Sequence, residues 1–549
     1  MGADGALNEG VQMDLHQSET HRSSSRDDAA LARLGKKSVL KRSFGFWTIL
    51  GFSCTVLITW EGSLIVFLVG LQNGGPSGII YGFIVVWIGT LSVFATLSEM
   101  ASMAPTSGGQ YHWVSMLAPP TYRKFLSYIT GWLTLTGWQA SVASTAYLTG
   151  TAIQGLIVLT HTSYLETMQN WHGTLLLWAI VILSYGVNTA FASSLSRFEG
   201  LVLVFHILGF FAIIFPLVFL SEHATADTVF NTFLNIGEWQ TQGLSFNIGI
   251  LGSVYAFVGG DGAIHMAEEV HNPAVLVPWS IMTGLLINGV LGFAMLIATL
   301  YCMGDINVRL KENPIYPFMA IFHHAVGSTA GAAVMSALVV ILVFSATTGL
   351  VSSTSRVYWA FARDRALPGW EILRRVSRRT SIPIFAVITT IAIAVILSFV
   401  NIGSSTAFNG ILSVSVAGLF GSYLVAASLL LYRRLTGGIR ERNSGNSGDS
   451  GDSGSYTSGS TLSWGPWRVP GALGVANNTF ACVYLIYIFF FSFWPAYSNV
   501  TPQNMNWAAL VFSVVILFSV MYYAVWARKL YNGPVVETGL TRTNELRAD

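Results

Sequence analysis

Residues Phe257–Pro273 read FVGGDGAIHMAEEVHNP, at the end of an apolar stretch that begins near Leu244. Gly259, Gly260 and Gly262 fill three of four consecutive positions around Asp261. Glycine is a poor helix former, so a helix entering this run is predicted to break there. A broken helix within a bilayer is tolerated only where the freed backbone faces protein or a water-filled cavity. A carboxylate at that depth is costly and marks a functional site.

Composition places the stretch in a membrane. Of 549 residues, 52% are hydrophobic and 10% charged, where a soluble domain carries about 25% charged residues. Mean hydropathy is +0.57. The formal net charge of +2 and the lack of a basic stripe argue against a nucleic-acid partner. Cys54, Cys302 and Cys482 are too scattered for a disulfide framework or a metal set. No cofactor motif is present. His265 and His271 are six positions apart, about 120° round a helix, so they share no metal-binding face.

Residues 1–43 are polar and read as a disordered cytosolic tail, not a signal peptide, ending in Lys36, Lys37, Lys41 and Arg42. Apolar runs then predict about twelve spans, an all-α polytopic protein. Residues 44–220 hold spans one to five and 244–432 hold spans six to ten. A Ser/Gly-rich cytosolic loop, 433–471, follows, with a flexible linker over 443–463. Spans eleven and twelve occupy 472–530, and 531–549 form a second cytosolic tail.

Loop charges orient the chain. Even-numbered loops hold Arg123, Lys124, Arg197, Arg363, Arg365, the Arg374–Arg379 cluster, Arg433, Arg434 and Arg468. Odd loops near 161–172, 221–243, 401–405 and 495–505 hold no Lys or Arg; only 304–330 does, with Arg309 and Lys311. The positive-inside rule then puts both termini in the cytosol; the membrane expected is the plasma membrane, with the vacuolar membrane as the alternative. The sequon at Asn499 faces outward but hugs the bilayer and precedes Pro502.

Five spans before the glycine-rich break lies Thr59-Trp60-Glu61-Gly62-Ser63, a second charged, helix-weakening interruption in span one. Paired interruptions in two halves of a chain point to a transporter site built from broken helices. The amides and carbonyls at such ends suit a carboxylate and an ammonium group. The candidate substrate-binding residues are therefore Thr59, Trp60, Glu61, Gly62 and Ser63, with Phe257, Gly259, Gly260, Asp261 and Gly262. The simpler alternative is a pair of kinks with glycines for close packing.

Thr106-Ser107-Gly108-Gly109-Gln110-Tyr111-His112-Trp113, the AEEVHNP end of span six, and SRVYWAFARDRALP at Ser355–Pro368 resemble the amino acid–polyamine–organocation superfamily. More narrowly they resemble its fungal amino-acid/choline branch, which includes 4-aminobutyrate permeases. The resemblance covers about residues 44–530. It implies a LeuT-type fold, with two inverted repeats of five spans plus two extra helices. It also implies uptake of an amino acid or amine, such as 4-aminobutyrate, driven by a co-transported ion, usually the proton.

One departure bears on the substrate. The superfamily's Gly-Ser/Thr-Gly of span one falls here on Trp60, Glu61 and Gly62. Glu61 would repel a substrate carboxylate and attract an ammonium group, and the indole could add cation–π attraction. This favours ω-amino acids or amines, choline and polyamines being the alternative class. Equally, Glu61 caps backbone amides or pairs with His206.

Asp261 matches a position where the superfamily often carries an acid. It would carry a proton or bind ammonium, or else be a satisfied polar group. His206 falls where proton-coupled relatives carry a lysine, so it is a coupling candidate or a packing residue. Glu268 and Glu269 would form an inner gate with Arg356 or Arg363, or solvate a helix end.

A nutrient receptor that does not translocate is the reading from another class. A membrane enzyme lacks any nucleophile–base pair at a workable spacing.

Overall fold

The protein is described by a computed structural model covering residues 25–537 except 404, 442–461 and 503. Most of the linker expected over 443–463, residues 1–24 of the first tail and residues 538–549 of the second lie outside the described residues. Among the described residues, eleven helices are long and apolar enough to cross a membrane. This is a multi-pass, all-helical membrane protein, its backbone satisfied within each helix as a hydrocarbon solvent requires.

The first crossing helix is two pieces, α1 (Phe46–Leu57) and α2 (Thr59–Ile65). Then follow α3 (Gly75–Met103), the short α4 (Gln110–Leu117), α5 (Pro120–Thr160), α6 (Asn170–Thr189) and α7 (Leu195–Leu220). Residues 242–265 form three short pieces, α8 (Gln242–Gly249), α9 (Leu251–Tyr255) and α10 (Gly262–His265). Beyond them lie α11 (Pro273–Tyr301), α12 (Pro317–Val326), α13 (Thr329–Arg363), α14 (Ile384–Gly403), α15 (Ser405–Leu435), α16 (Gly471–Phe491) and α17 (Ala508–Tyr522). The broken segment α8–α10 is not among the eleven, because no piece of it is long enough.

Packing follows the small residues. Gly137 of α5 and Gly418 of α15 face each other so closely that a Cβ built on either meets the other helix's backbone at 2.6 Å. In a lipid solvent such backbone approach, rather than apolar burial, holds helices together. The membrane-facing helices α7, α14 and α17 keep large apolar side chains on their outer faces, Phe219, Ile396 and Leu517 among them. Inside, Ser and Thr hydroxyls bond back to their own helices, as Ser141 does to Gly137 and Thr149 to Thr145.

The expected disordered tail is helical over residues 25–33. It is tied down by partners far along the chain: the Asn272 amide donates to Asp27, and Lys36 pairs with Asp364. Such tethers are invisible to a reading of local polarity.

Candidate functional site

Both interruptions exist, but the first is displaced. Span one breaks at Ile58, in the left-handed region at φ 38°, ψ 47°. Thr59–Ser63 are helical, in the first turns of α2. A β-branched residue there is an outlier, and such strain persists only where neighbours impose it. Asn288 of α11 does so. Its Oδ1 accepts from the Thr59 amide at 3.0 Å, while its Nδ2 donates to the Cys54 carbonyl at 3.4 Å. One side chain thus serves both edges of the break.

The second break is the glycine run. Residues 256–261 are a turn, with Gly259 at φ +95°. No backbone bond from the Gly259, Gly260 or Asp261 amides occurs among the described residues. Val56 joins the two breaks. A Cβ on Gly259 or Gly262 would meet Val56 at 3.2 or 3.1 Å, and one on Gly349 of α13 at 2.6 Å.

Between the breaks lies a cavity of about 50 Å³, room for a few water molecules. Its walls include Ile58 and Gly62 from the first break, and Tyr255, Ala256 and Val258 from the second. α5 contributes Ser141, Thr145 and Leu148, α13 Val343 and Leu350, and α15 Leu412 and Ser415. No ionisable carboxylate or amine is among them. Across Tyr255, whose hydroxyl bonds Ser413 Oγ at 2.7 Å, lies a wider vestibule of about 430 Å³. It runs out among loop residues Trp494, Tyr497 and Asn506 and shares Ile65, Val66, Leu148 and Leu412 with the inner cavity.

Of the ten residues read as substrate contacts, Gly62 lines this cavity. Ser63 bonds the Thr59 carbonyl at 2.7 Å. Trp60 packs on His206 and Phe210, with ring centroids 5.8 and 6.2 Å away. Phe257 packs on Phe83 at 5.1 Å, and Gly260 lies against Phe94. Glu61 turns to α7, where its Oε1 shares a hydrogen bond of 2.7 Å with His206 Nδ1, both side chains fully buried. Glu61 Oε2 and His206 Nε2 have no hydrogen-bond partner among the described residues.

Asp261 faces α4. Gln110 Nε2 donates to its Oδ2 at 2.8 Å, His265 Nε2 lies 3.5 Å from the same oxygen, and Tyr423 is an electrostatic neighbour.

The bundle end opposite the vestibule is shut by ion pairs. Arg363 grips Glu268 with two bonds of 2.8 and 2.9 Å, and the Ser107 amide adds a third at 3.1 Å. Arg356 Nε meets Glu269 at 2.7 Å. Burial works to raise the Glu268 carboxyl, but the Arg363 cation and its hydrogen bonds outweigh it and hold it below the ordinary glutamate value. Asp364 is held low in the same way, burial being overridden by Lys36 and Arg363. Asp364 is also the anchor for Lys36, the Tyr111 hydroxyl at 2.8 Å and the Val535 amide at 2.9 Å. His112 beside them is pushed down to about 3, by burial first and then by Lys36.

Sequence reading missed Asn288, the α5 face and Glu199. Ser141, Thr145 and Leu148 are spaced four and three apart, the signature of one helix face. Glu199 of α7 is fully buried against Thr55 of α1.

The profile of the family described as amino acid permease matches residues 44–517. A protein of Macrophomina phaseolina named as an amino acid/polyamine transporter is 28% identical, over 84% of this chain and 97% of its own length. The choline transporter of Saccharomyces cerevisiae is 28% identical, over 90% and 83%. Amino-acid permease 2 of Neurospora crassa is 27% identical, over 93% and 90%. The chain belongs to the amino acid permease family, and is a membrane transporter rather than an enzyme.

Proposed function

We propose that this permease takes up an amino acid or related amine, such as 4-aminobutyrate, by proton-coupled alternating access. The carrying observation is the small cavity between two helix breaks, separated from a vestibule at one end by a shared wall at Tyr255 and closed at the other by the Glu268–Arg363 and Glu269–Arg356 pairs. That asymmetry is what one half of a transport cycle requires. With both termini cytosolic, as the loop charges favour, the vestibule faces outward and the gate inward.

The substrate sits against Gly62 and the turn at 256–261. Its charged ends are met by backbone dipoles and by Ser141, Thr145 and Ser415, since no ionised side chain lines the cavity. Asp261, Glu61 and His206 lie behind the wall, where they act on helix position rather than on the ligand. The two breaks are what an inverted repeat of five spans would place in the first helix of each half, and in such a cycle α1–α3 and α8–α11 rock against the rest.

Choline or polyamine uptake is the second reading, and the family relatives include proteins so named. Counterflow in liposomes holding the purified protein, with radiolabelled 4-aminobutyrate, choline, polyamines and common amino acids, decides between them. Exchange of one class identifies the cargo. Binding without exchange replaces transport by a sensing role.

A further inference from the structure

Glu199 is fully buried in α7, yet among the described residues no cation faces it, Arg197 of the same helix being exposed. Thr55 Oγ1 lies 2.5 Å from its Oε2, and its Oε1 has no hydrogen-bond partner among the described residues. Among the described residues the neighbouring elements offer no further charged partner. From α1, Cys54 turns towards Asn288. On α13, Arg356 and Arg363 are engaged by Glu269 and Glu268. α11 carries no Asp, Glu, Lys, Arg or His. On α12, His323 meets Thr329 and His324 is exposed beside it. α7's own His206 is taken by Glu61.

An ionised carboxylate with one hydroxyl donor does not survive in so dry a seam. A bare metal cation would need most of its hydration shell replaced by oxygens, and one carboxylate and one hydroxyl are too few. The proton alone fits.

We propose that Glu199 is a proton-binding site, and that its protonated form belongs to the arrangement described here, with α1 closed against α7 and α13. Thr55 sits three residues before the break at Ile58, and the next residue, Val56, is the contact shared by both breaks and Gly349. Release of the proton from the Glu199 carboxyl to water leaves a carboxylate that must be hydrated. Hydration requires the α1–α7 seam to part, which moves the first half of span one relative to the second break. Proton occupancy and helix position are thereby one equilibrium. The inference gives the proposed proton coupling a residue, but the site itself is testable without a substrate.

The test is infrared difference spectroscopy on the full-length protein in lipid nanodiscs, titrated with acid. Wild type should show the carbonyl stretch of a buried neutral carboxyl that disappears on alkalinisation, and Glu199→Gln should delete that band. Thr55→Val should shift its frequency and its midpoint, because the band's only hydrogen-bond partner is gone. If Glu199→Gln does not fold, Glu199→Asp must move the band instead. A band unchanged in the variants, or one removed by sodium at constant pH, overturns the proposal. Absence of counterflow in wild type would sink the transport reading and leave the infrared result standing. Where counterflow is present, accumulation of about tenfold per unit of pH gradient should be lost in Glu199→Gln.

Discussion

Thr59 and Asn288 lie 229 positions apart, yet the Thr59 amide donates to Asn288 Oδ1 at 3.0 Å. That bond replaces the one the helix loses at Ile58. Asn288→Leu leaves the buried amide unpaired, at a cost of about 1–3 kcal/mol. Thermal unfolding in detergent should show the loss, while Asn288→Ser should be milder. An unchanged melting temperature in Asn288→Leu would mean that the break holds itself.

The buried Glu268–Arg363 pair should fail asymmetrically. Glu268→Ala strands an unpaired guanidinium and should cost about 3–5 kcal/mol. Removing both partners, as Glu268→Leu with Arg363→Met, should recover much of it. A double mutant no better than the single one would show that the pair is not acting as a unit.

Cavity volume should limit transport. Gly62 borders the chamber, and a Cβ there would sit 3.5 Å from Ala256 Cα, ordinary contact distance. Gly62→Ala should therefore assemble and retain some uptake. Gly62→Leu should fill the space and lower uptake by about tenfold or more, with expression intact. Undiminished uptake in Gly62→Leu would place the substrate elsewhere.

Acid should loosen the gate in two stages. His112 is held down to about 3, so it stays neutral when folded but charges when unfolded. Its depressed folded value means that stability falls as pH drops from about 6.5, reaching a loss of about 2 kcal/mol near pH 5. Glu268 and Asp364 also have depressed values, so their contribution is complete above about pH 5 and is lost as pH falls below it. Melting curves against pH should show the first stage disappear in His112→Phe while the second remains. A flat profile in wild type above pH 5 would contradict the buried imidazole.

The helical membrane class was readable from apolar runs, and the second break from glycines that Gly259 uses at φ +95°. The first break was readable only roughly. A charged, helix-weakening segment pointed to Thr59–Ser63, but Gly62 serves the cavity wall while the kink falls on Ile58, a residue with no turn propensity. Its cause, Asn288, lies in another helix. Glu61 was read with two possible targets, and the packing of α2 against α7 is what places it on His206. Glu199 stayed hidden because it follows Arg197 in a stretch that reads as the charged lead-in to a span; its burial comes from α1 packing over it.

Lys36 and the Val535 amide settle on the same oxygen of Asp364. Anyone attaching a fluorescent reporter near either end is therefore working on one seam, not two independent sites. A bulky graft just ahead of Lys36 and one just after Tyr531 would pry at the same knot, so a silent tagging position must leave both strands of that knot their slack.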